Sequence, residues 1–174
     1  IEGLNDELYK TIEKNIFFLK KEVLKNSISE FNIVEKYSVK KIYPRELNIN
    51  IKPTKFIAKI SNKDDVLVGS NGKLISNKDF KKKLPSIFGK FNSNKFLELK
   101  IHLERSGFNF EDLKSLIYFS SGRWDILTND NVLIKLPNKK IYESLHLAKK
   151  ILNDDNFKMN KFIDLRISNQ IIVK

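Results

Sequence analysis

Cysteine is absent from the 174-residue chain, which excludes disulfide bonds, thiolate metal ligands and cysteine nucleophiles. Glycine and proline are scarce, at six and four residues, so extensive disorder is not expected. Purely apolar runs reach only four residues, as at 16–19, whereas a membrane-spanning helix needs roughly 20. The sequence therefore predicts a water-soluble chain. Because it begins at Ile1 rather than at methionine, we expect that upstream sequence has been removed.

Basic residues outnumber acidic ones by 33 to 21, which gives a formal net charge of +12. Such a charge suits nucleic acid, an anionic membrane surface or an acidic protein partner. Only four of the basic residues are arginines, and the lysines are dispersed among many asparagines and isoleucines. This pattern favours a solvated lysine-rich surface, and a basic nucleic-acid-binding domain is the alternative from a different functional class.

Residues able to build a catalytic or metal site are few and dispersed. The two histidines, His102 and His146, fall on different predicted helices and lack neighbours at metal-ligand spacing. Residues 69–73 are too few for a phosphate-binding loop, and a predicted strand follows them instead of a helix. No base is specified for the serines at 120–121. The sequence therefore predicts a protein that is not an enzyme and takes no cofactor, metal or small-molecule substrate.

The first third of the chain predicts two helices followed by a β-hairpin. Apolar residues three and four apart indicate a helix from about residue 5 and another over 20–30, with Val23, Leu24, Ile28 and Phe31 on one side. Apolar and polar residues alternate before and after Pro44, which predicts two half-buried strands. With a short strand at residues 1–2, this part forms two helices on a three-stranded sheet.

The rest of the chain predicts mainly strands. They are expected over 56–60, 66–69, 74–75, 116–119, 123–127, 132–136, 162–167 and 170–173, with helices over 94–105 and 141–152. The inward helix residues are expected to be Phe96, Leu99, Leu103, Leu145, Ala148 and Leu152. Asn71-Gly72 predicts a turn with two positive φ angles, and 81–85 predicts an irregular link. The fold class is α+β, with domains at 1–54 and 55–174 and a mostly antiparallel β domain carrying two packing helices.

Four stretches of the chain follow one pattern in order and spacing. They are Val39 to Ile51, the Leu84-Pro85-Ser86-Ile87-Phe88-Gly89 segment, the Trp124 hairpin over 123–137, and the ending over 162–173. In this order they resemble the POTRA strand, the Leu-Pro-x-x-x-Gly link, the Trp hairpin and the closing strands of FtsQ/DivIB cell-division proteins. Three residues depart from that pattern: Lys52 and Phe56 replace the family's usual Glu and Pro, and Asn131 replaces a common Gly, which Asn tolerates because it accepts positive φ.

The resemblance implies a POTRA domain over 1–54 and an FtsQ-type β domain over 55–174. It implies a single-pass protein of the bacterial inner membrane, anchored by an N-terminal helix absent from this chain, with this region in the periplasm at the division septum. It also implies a non-catalytic divisome scaffold that binds FtsB/FtsL-like proteins, with FtsK as a further partner. A POTRA-bearing component of outer-membrane transport is the rival within the same fold group.

Partner binding is predicted to occur by strand addition at the C-terminal sheet edge. In the strand over 162–168, Ile163, Leu165 and Ile167 are expected to face the core, whereas Asp164 and Arg166 face outward. Arg166 could then meet an acidic partner, while Trp124 is expected in the core. The predicted partner-binding residues are Arg166, Ile167, Ser168, Ile171 and Arg123 at this edge, and Tyr43, Arg45, Leu47 and Ile49 in the POTRA part.

Overall fold

The protein is described by a computed structural model that covers residues 21–43, 46–167 and 170–174. The chain divides into two compact units, Ile1–Lys55 and Phe56–Lys174. The predicted first helix, the predicted strand at residues 1–2 and the Pro44 turn lie outside the described residues. The assignment of 1–54 to a POTRA domain and 55–174 to a β domain stays a prediction.

The described part of the first unit is one helix packed on an antiparallel hairpin. The elements are α1 (Lys21–Glu30), β1 (Val34–Ile42) and β2 (Glu46–Pro53). Leu24 and Ile28 of the helix are fully buried against alternate side chains of both strands. The predicted hairpin is confirmed, but Val23 was wrongly placed on the inner side, because its side chain is 46% exposed.

The described part of the second unit contains nine strands in one sheet and two α-helices. Its elements are β3 (Phe56–Ile60), β4 (Lys63–Gly69), β5 (Leu74–Ser76), β6 (Ser86–Phe88), α2 (Ser93–Arg105), β7 (Leu113–Tyr118), β8 (Trp124–Thr128), β9 (Leu133–Lys135), α3 (Ile141–Asn153), β10 (Phe162–Asp164) and β11 (Ile172–Val173). The strand order is β11-β10-β9-β8-β7-β6-β3-β4-β5. Most neighbours are antiparallel, and the parallel pairs are β3/β6, β6/β7 and β9/β10. The α+β fold class with a large, mostly antiparallel sheet is confirmed.

Strand β6 lies in the middle of the sheet, where the sequence predicted only a link. Its Ile87 is almost fully buried, and the strand is parallel to both of its neighbours. Three residues are too few to display an alternating pattern, so this strand has no recognisable signal in the sequence. The following Gly89 has a φ of +91°, and a Cβ there would collide with the carbonyl oxygen of Tyr118. Only glycine fits this exit from the strand.

Both helices of the second unit pack on the same face of its sheet. Asn92 caps α2 by accepting a hydrogen bond from the Lys95 backbone N–H at 2.9 Å. The inward residues of the helices and the sheet residues facing them form one buried cluster: Phe96, Leu99 and Leu103 of α2, Leu145, Ala148 and Ile151 of α3, and Trp124, Ile126 and Ile134 of the sheet. The core position predicted for Trp124 is confirmed. In α3, Ile151 is buried, and Leu152 is only partly buried.

Two details of the turns and ends differ from the predictions. In the Asn71-Gly72 turn only Gly72 has a positive φ, because Asn71 uses its side-chain oxygen to accept a hydrogen bond from the Lys73 N–H. The last two strands are shorter than predicted, since β10 ends at Asp164 and β11 has two residues. The positive φ of Asn131, 60°, matches the expectation for the Trp hairpin.

Candidate functional site

The C-terminal strand β11 lies at one end of the sheet and has β10 as its neighbour. Lys174 and Phe162 exchange two backbone hydrogen bonds, both of 3.0 Å. The adjacent pair, Val173 opposite Ile163, is therefore the non-hydrogen-bonded pair of this antiparallel ladder. The backbone N–H and C=O of Val173 point away from β10, toward the side of β11 on which no strand is paired in the described part of the chain. They can accept the backbone of an added strand.

A row of charged side chains crosses the sheet on the face opposite the helices. In the strand register, Asp125 of β8 lies opposite Lys135 of β9, and Lys135 lies opposite Asp164 of β10. Their chain neighbours Ile126 and Ile134 belong to the buried cluster under the helices. Because successive side chains of a strand point to opposite faces, the three charged groups lie together on the face opposite α2 and α3, here called the open face.

Asp164 holds Arg166 through a bidentate ion pair. The Nε atom of Arg166 donates to both carboxylate oxygens at 2.9 and 3.0 Å, and Nη2 donates to Oδ2 at 2.6 Å. The Arg166 backbone N–H donates to the same carboxylate at 3.1 Å. These hydrogen bonds lower the pKa of Asp164 against the opposing effect of burial. Asp164 is buried, whereas the Arg166 side chain is 40% exposed and can reach a partner.

Arg123 and Asp125 form a weaker pair on the same face. Their closest atoms, Nε and Oδ1, are 3.5 Å apart, and the Arg123 guanidinium also lies over the Phe119 ring at 4.0 Å from its centroid. Burial raises the pKa of Asp125, and Arg123 opposes this rise only in part. The two arginine–aspartate pairs thus differ in geometry and in the direction in which the pKa of the aspartate is shifted.

The predicted orientation of the C-terminal segment is partly wrong. Ile163 and Leu165 are buried as predicted, and Asp164 lies on the opposite face as predicted, although it is buried there; Ile167, which was expected to face the core, is 56% exposed. The physical reason is that β10 ends at Asp164, so the strand alternation does not extend to Ile167. Ser168 lies outside the described residues.

Ile167 and Ile171 lie in a groove beside the first turn of α3. The groove has a volume of about 560 Å³. It is lined by Pro137, Asn138, Lys139, Lys140, Glu143, Ser144, Leu147, Leu165, Arg166, Ile167, Gln170 and Ile171. Three of the predicted site residues, Arg166, Ile167 and Ile171, are therefore brought together around one concave surface that combines apolar side chains with three cations.

The four residues predicted to bind a partner in the first unit have different environments. Tyr43 is 64% exposed in the turn that follows β1. Leu47 and Ile49 are half-buried and pack against the cluster that contains Leu24 and Ile28. Arg45 lies outside the described residues. Of this set, Tyr43 is the residue that the structure shows exposed to solvent.

Over residues 21–43, 46–167 and 170–174, no group of three or more histidine, aspartate or glutamate side chains could hold a metal ion. In the same part of the chain, no helix is long and apolar enough to cross a membrane. His146 stacks on Tyr142, with 6.1 Å between the ring centroids. The Nδ1 atom of His102 is buried without a hydrogen-bond partner.

A family model described as "Cell division protein FtsQ/DivIB, C-terminal" matches residues 57–166. The chain belongs to the FtsQ/DivIB family. The matched span covers more than half of the chain, begins within β3 and ends at Arg166. It therefore contains both arginine–aspartate pairs and Lys135. A comparison with curated proteins finds no match. The resemblance stated from the sequence is confirmed, and a role in cell division follows from family membership.

Three features of this FtsQ/DivIB domain were missed by sequence reasoning. Asp125 and Lys135 were not singled out, although each interrupts an apolar strand at an outward position, which is a readable signal. Their alignment with Asp164 depends on strand register, which the sequence does not display. The outward-pointing backbone of Val173 likewise depends on strand register, in this case between β10 and β11.

Proposed function

We propose that this chain is the non-catalytic, periplasmic part of a single-pass inner-membrane FtsQ/DivIB protein at the division septum. In this proposal it acts as a divisome scaffold that binds FtsB/FtsL-like proteins at the C-terminal edge of the second unit. The observation that carries the proposal is the open backbone of Val173 next to a groove containing Arg166, Ile167 and Ile171. Membership of a cell-division family supports the choice of partner class.

Binding combines backbone pairing with two kinds of side-chain contact. An extended partner segment pairs with the open edge of β11, and its backbone hydrogen bonds contribute affinity independent of sequence. Apolar partner residues enter the groove against Ile167 and Ile171, both about half exposed. Arg166 engages Asp164 through Nε and Nη2, which leaves Nη1 to donate hydrogen bonds to a carboxylate of the partner. Arg123 provides a second cation on the open face.

The first unit has its own proposed role as a POTRA domain over residues 1–54 that binds a further division protein such as FtsK. Exposure of Tyr43 supports this role. Arg45, Leu47 and Ile49 belong to the same proposed surface, but Leu47 and Ile49 act by holding the hairpin on its apolar cluster. Residues 55–174 then form the β domain that binds FtsB/FtsL-like proteins.

The edge contact can be tested by removing one outward N–H group. Val173→Pro deletes that donor and leaves the hydrogen bonds between Lys174 and Phe162 available. Val173→Ala is the matched control, because it shortens the side chain and keeps the N–H. Calorimetric titration with a soluble FtsB/FtsL-like segment of the same organism is expected to show binding by wild type and Val173→Ala. We expect binding by Val173→Pro to be about 10-fold weaker or more.

The same calorimetric experiment includes an Arg166→Glu variant, and the wild-type protein is also titrated with a short DNA duplex. Arg166→Glu should weaken binding to the segment because it places a carboxylate beside Asp164 and removes the cation that faces the partner. Equal affinities for the proline and alanine variants would rule out strand addition. Tight, salt-sensitive binding to DNA without binding to the segment would overturn the scaffold function in favour of a nucleic-acid-binding domain.

A further inference from the structure

Five charged groups of alternating sign form a row across the open face, with an arginine at each end. In order they are Arg123, Asp125, Lys135, Asp164 and Arg166, here called the charged row. We propose that Asp125, Lys135 and Asp164 are positioning residues that couple Arg123 and Arg166 into a single recognition unit for one acidic patch of a partner. This inference rests on the proposed function, since it concerns the same partner-binding surface.

Strand register places the members of the charged row next to one another. Neighbouring strands lie about 4.8 Å apart, so the side chains of Asp125 and Asp164 are separated by about 10 Å with Lys135 between them. The Lys135 ammonium is also held 5.1 Å from the centroid of the Phe162 ring. Electrostatic interactions of Asp125 extend beyond Arg123 to Lys135 and to Arg166. The two arginines are therefore linked although 42 residues separate them along the chain.

Burial divides the charged row into groups that can touch a partner and groups that cannot. The side chains of Asp125 and Asp164 are 4% and 7% exposed, so they act through their neighbours. Asp125 accepts the Nε–H of Arg123, and Asp164 accepts hydrogen bonds from both Nε and Nη2 of Arg166. The guanidinium N–H groups that these contacts do not use are left for a partner. Three cations and two carboxylates give the row a surplus of one positive charge. One partner carboxylate balances that surplus.

Apolar side chains border the charged row on the open face. By strand register they are Ile117 on β7, Leu127 on β8, Leu133 on β9, Phe162 on β10 and Ile172 on β11, all partly buried. The solvent face of an antiparallel sheet is usually polar, so this composition is unusual for a face that stays in water. Once covered by a partner, such a border lowers the local dielectric constant and strengthens the charge interaction. The surface thus suits an acidic residue flanked by apolar residues.

The coupling can be measured first in the free protein. Asp125→Asn removes the carboxylate in contact with Arg123, and NMR records the side-chain Nε–H signals of both arginines. A coupled row predicts that the Arg166 signal shifts together with the Arg123 signal, even though Asp164 is unchanged. Glu98→Gln, which removes the partner of Lys95 on α2, is the matched control and should leave both signals in place. A shift confined to Arg123 would overturn the coupling.

A double-mutant cycle then measures the coupling in the complex. Arg123→Gln, Arg166→Gln and the double variant are titrated with the same FtsB/FtsL-like segment. If each single variant loses about 10-fold in affinity, independent arginines predict about 100-fold for the double variant. A single recognition unit predicts a loss for the double variant close to that of either single variant. Independent losses would contradict the inference and leave the proposed function standing.

Failure of the proposed function has a different signature. In that case wild-type protein does not bind the segment, and none of the variants changes this result. The Arg166 signal in the free Asp125→Asn variant still decides whether the charged row is coupled. An unshifted Arg166 signal overturns the inference whether or not the segment binds.

Discussion

The two faces of the nine-stranded sheet are built by the same strands but have different chemistry. The face covered by α2 and α3 contains fully buried apolar side chains such as Trp124, Ile126 and Ile134. The opposite face carries Asp125 and Lys135, which are one residue away in the same strands. Neighbouring residues of one strand thus belong to the packed core and to the charged row, respectively. We therefore expect stability to depend mainly on the covered face, and the proposed partner recognition to depend on the open face.

The largest expected effect is the loss of Trp124 from the covered face. Trp124 is 1% exposed, and its ring centroid lies 4.7 Å from that of Tyr118 and 5.8 Å from that of Phe91. Trp124→Ala should lower the free energy of unfolding by about 3–5 kcal/mol, because it removes a large buried side chain and leaves a cavity. Leu133→Ala on the open face should cost about 1 kcal/mol, because its side chain is already partly exposed. Denaturant unfolding gives both values, and equal losses would remove the distinction between the faces.

A smaller effect is expected from the two buried aspartates. Asp164→Asn should lower the free energy of unfolding by about 1–2 kcal/mol, since it weakens hydrogen bonds to a cation that solvent partly screens. Asp125→Asn should cost less or even stabilise the protein, because burial of this carboxylate already disfavours its charged form. Thermal unfolding of the two variants at neutral pH tests this order. A larger loss of stability for Asp125→Asn than for Asp164→Asn would show that the Arg123–Asp125 pair contributes more to stability than the Arg166–Asp164 pair.

The smallest effect is a difference in pH dependence between the same two variants. The folded-state pKa of Asp164 is lowered, so its stabilising contribution is present above about pH 4, the ordinary value for a carboxyl group, and is lost as pH falls through the lowered pKa. The folded-state pKa of Asp125 is raised, so its unfavourable contribution at neutral pH is relieved as pH falls through the raised pKa toward about 4.

Unfolding measured from pH 7 to 3 should therefore separate the two variants. The stability difference between wild type and Asp125→Asn should shrink as pH falls from the raised pKa of Asp125 to about 4, with little further change below that. The difference between wild type and Asp164→Asn should persist to about pH 4 and close only below it. Parallel pH profiles for the two variants would contradict the electrostatic contrast between the pairs.

The covered face was largely predictable from the sequence, and the open face was not. Helical spacing of Phe96, Leu99 and Leu103 identified the inner side of α2, because periodicity directly reports which side is buried. Strand β6 was missed, because a strand of three residues is too short to show an alternating pattern. Ile167 was misplaced because alternation was extended past the end of β10.

The charged row depends on register between distant strands. Asp125 and Lys135 face each other across an antiparallel pair, but Lys135 and Asp164 belong to strands that pair in parallel and lie far apart along the chain. Parallel pairing requires a crossover connection, here through α3, and local sequence patterns do not specify its register. The residue types were therefore visible in the sequence, but their arrangement was not.

The most direct test of the partner-binding claim is an NMR titration of the ¹⁵N-labelled chain with the soluble FtsB/FtsL-like segment. We expect amide shifts to concentrate at the open face and edge, in β8 to β11 and around Arg166, Ile171 and Val173, while the opposite sheet edge at β5 stays unchanged. Shifts confined to β5, or spread evenly over the dispersed surface lysines, would contradict recognition at the C-terminal edge.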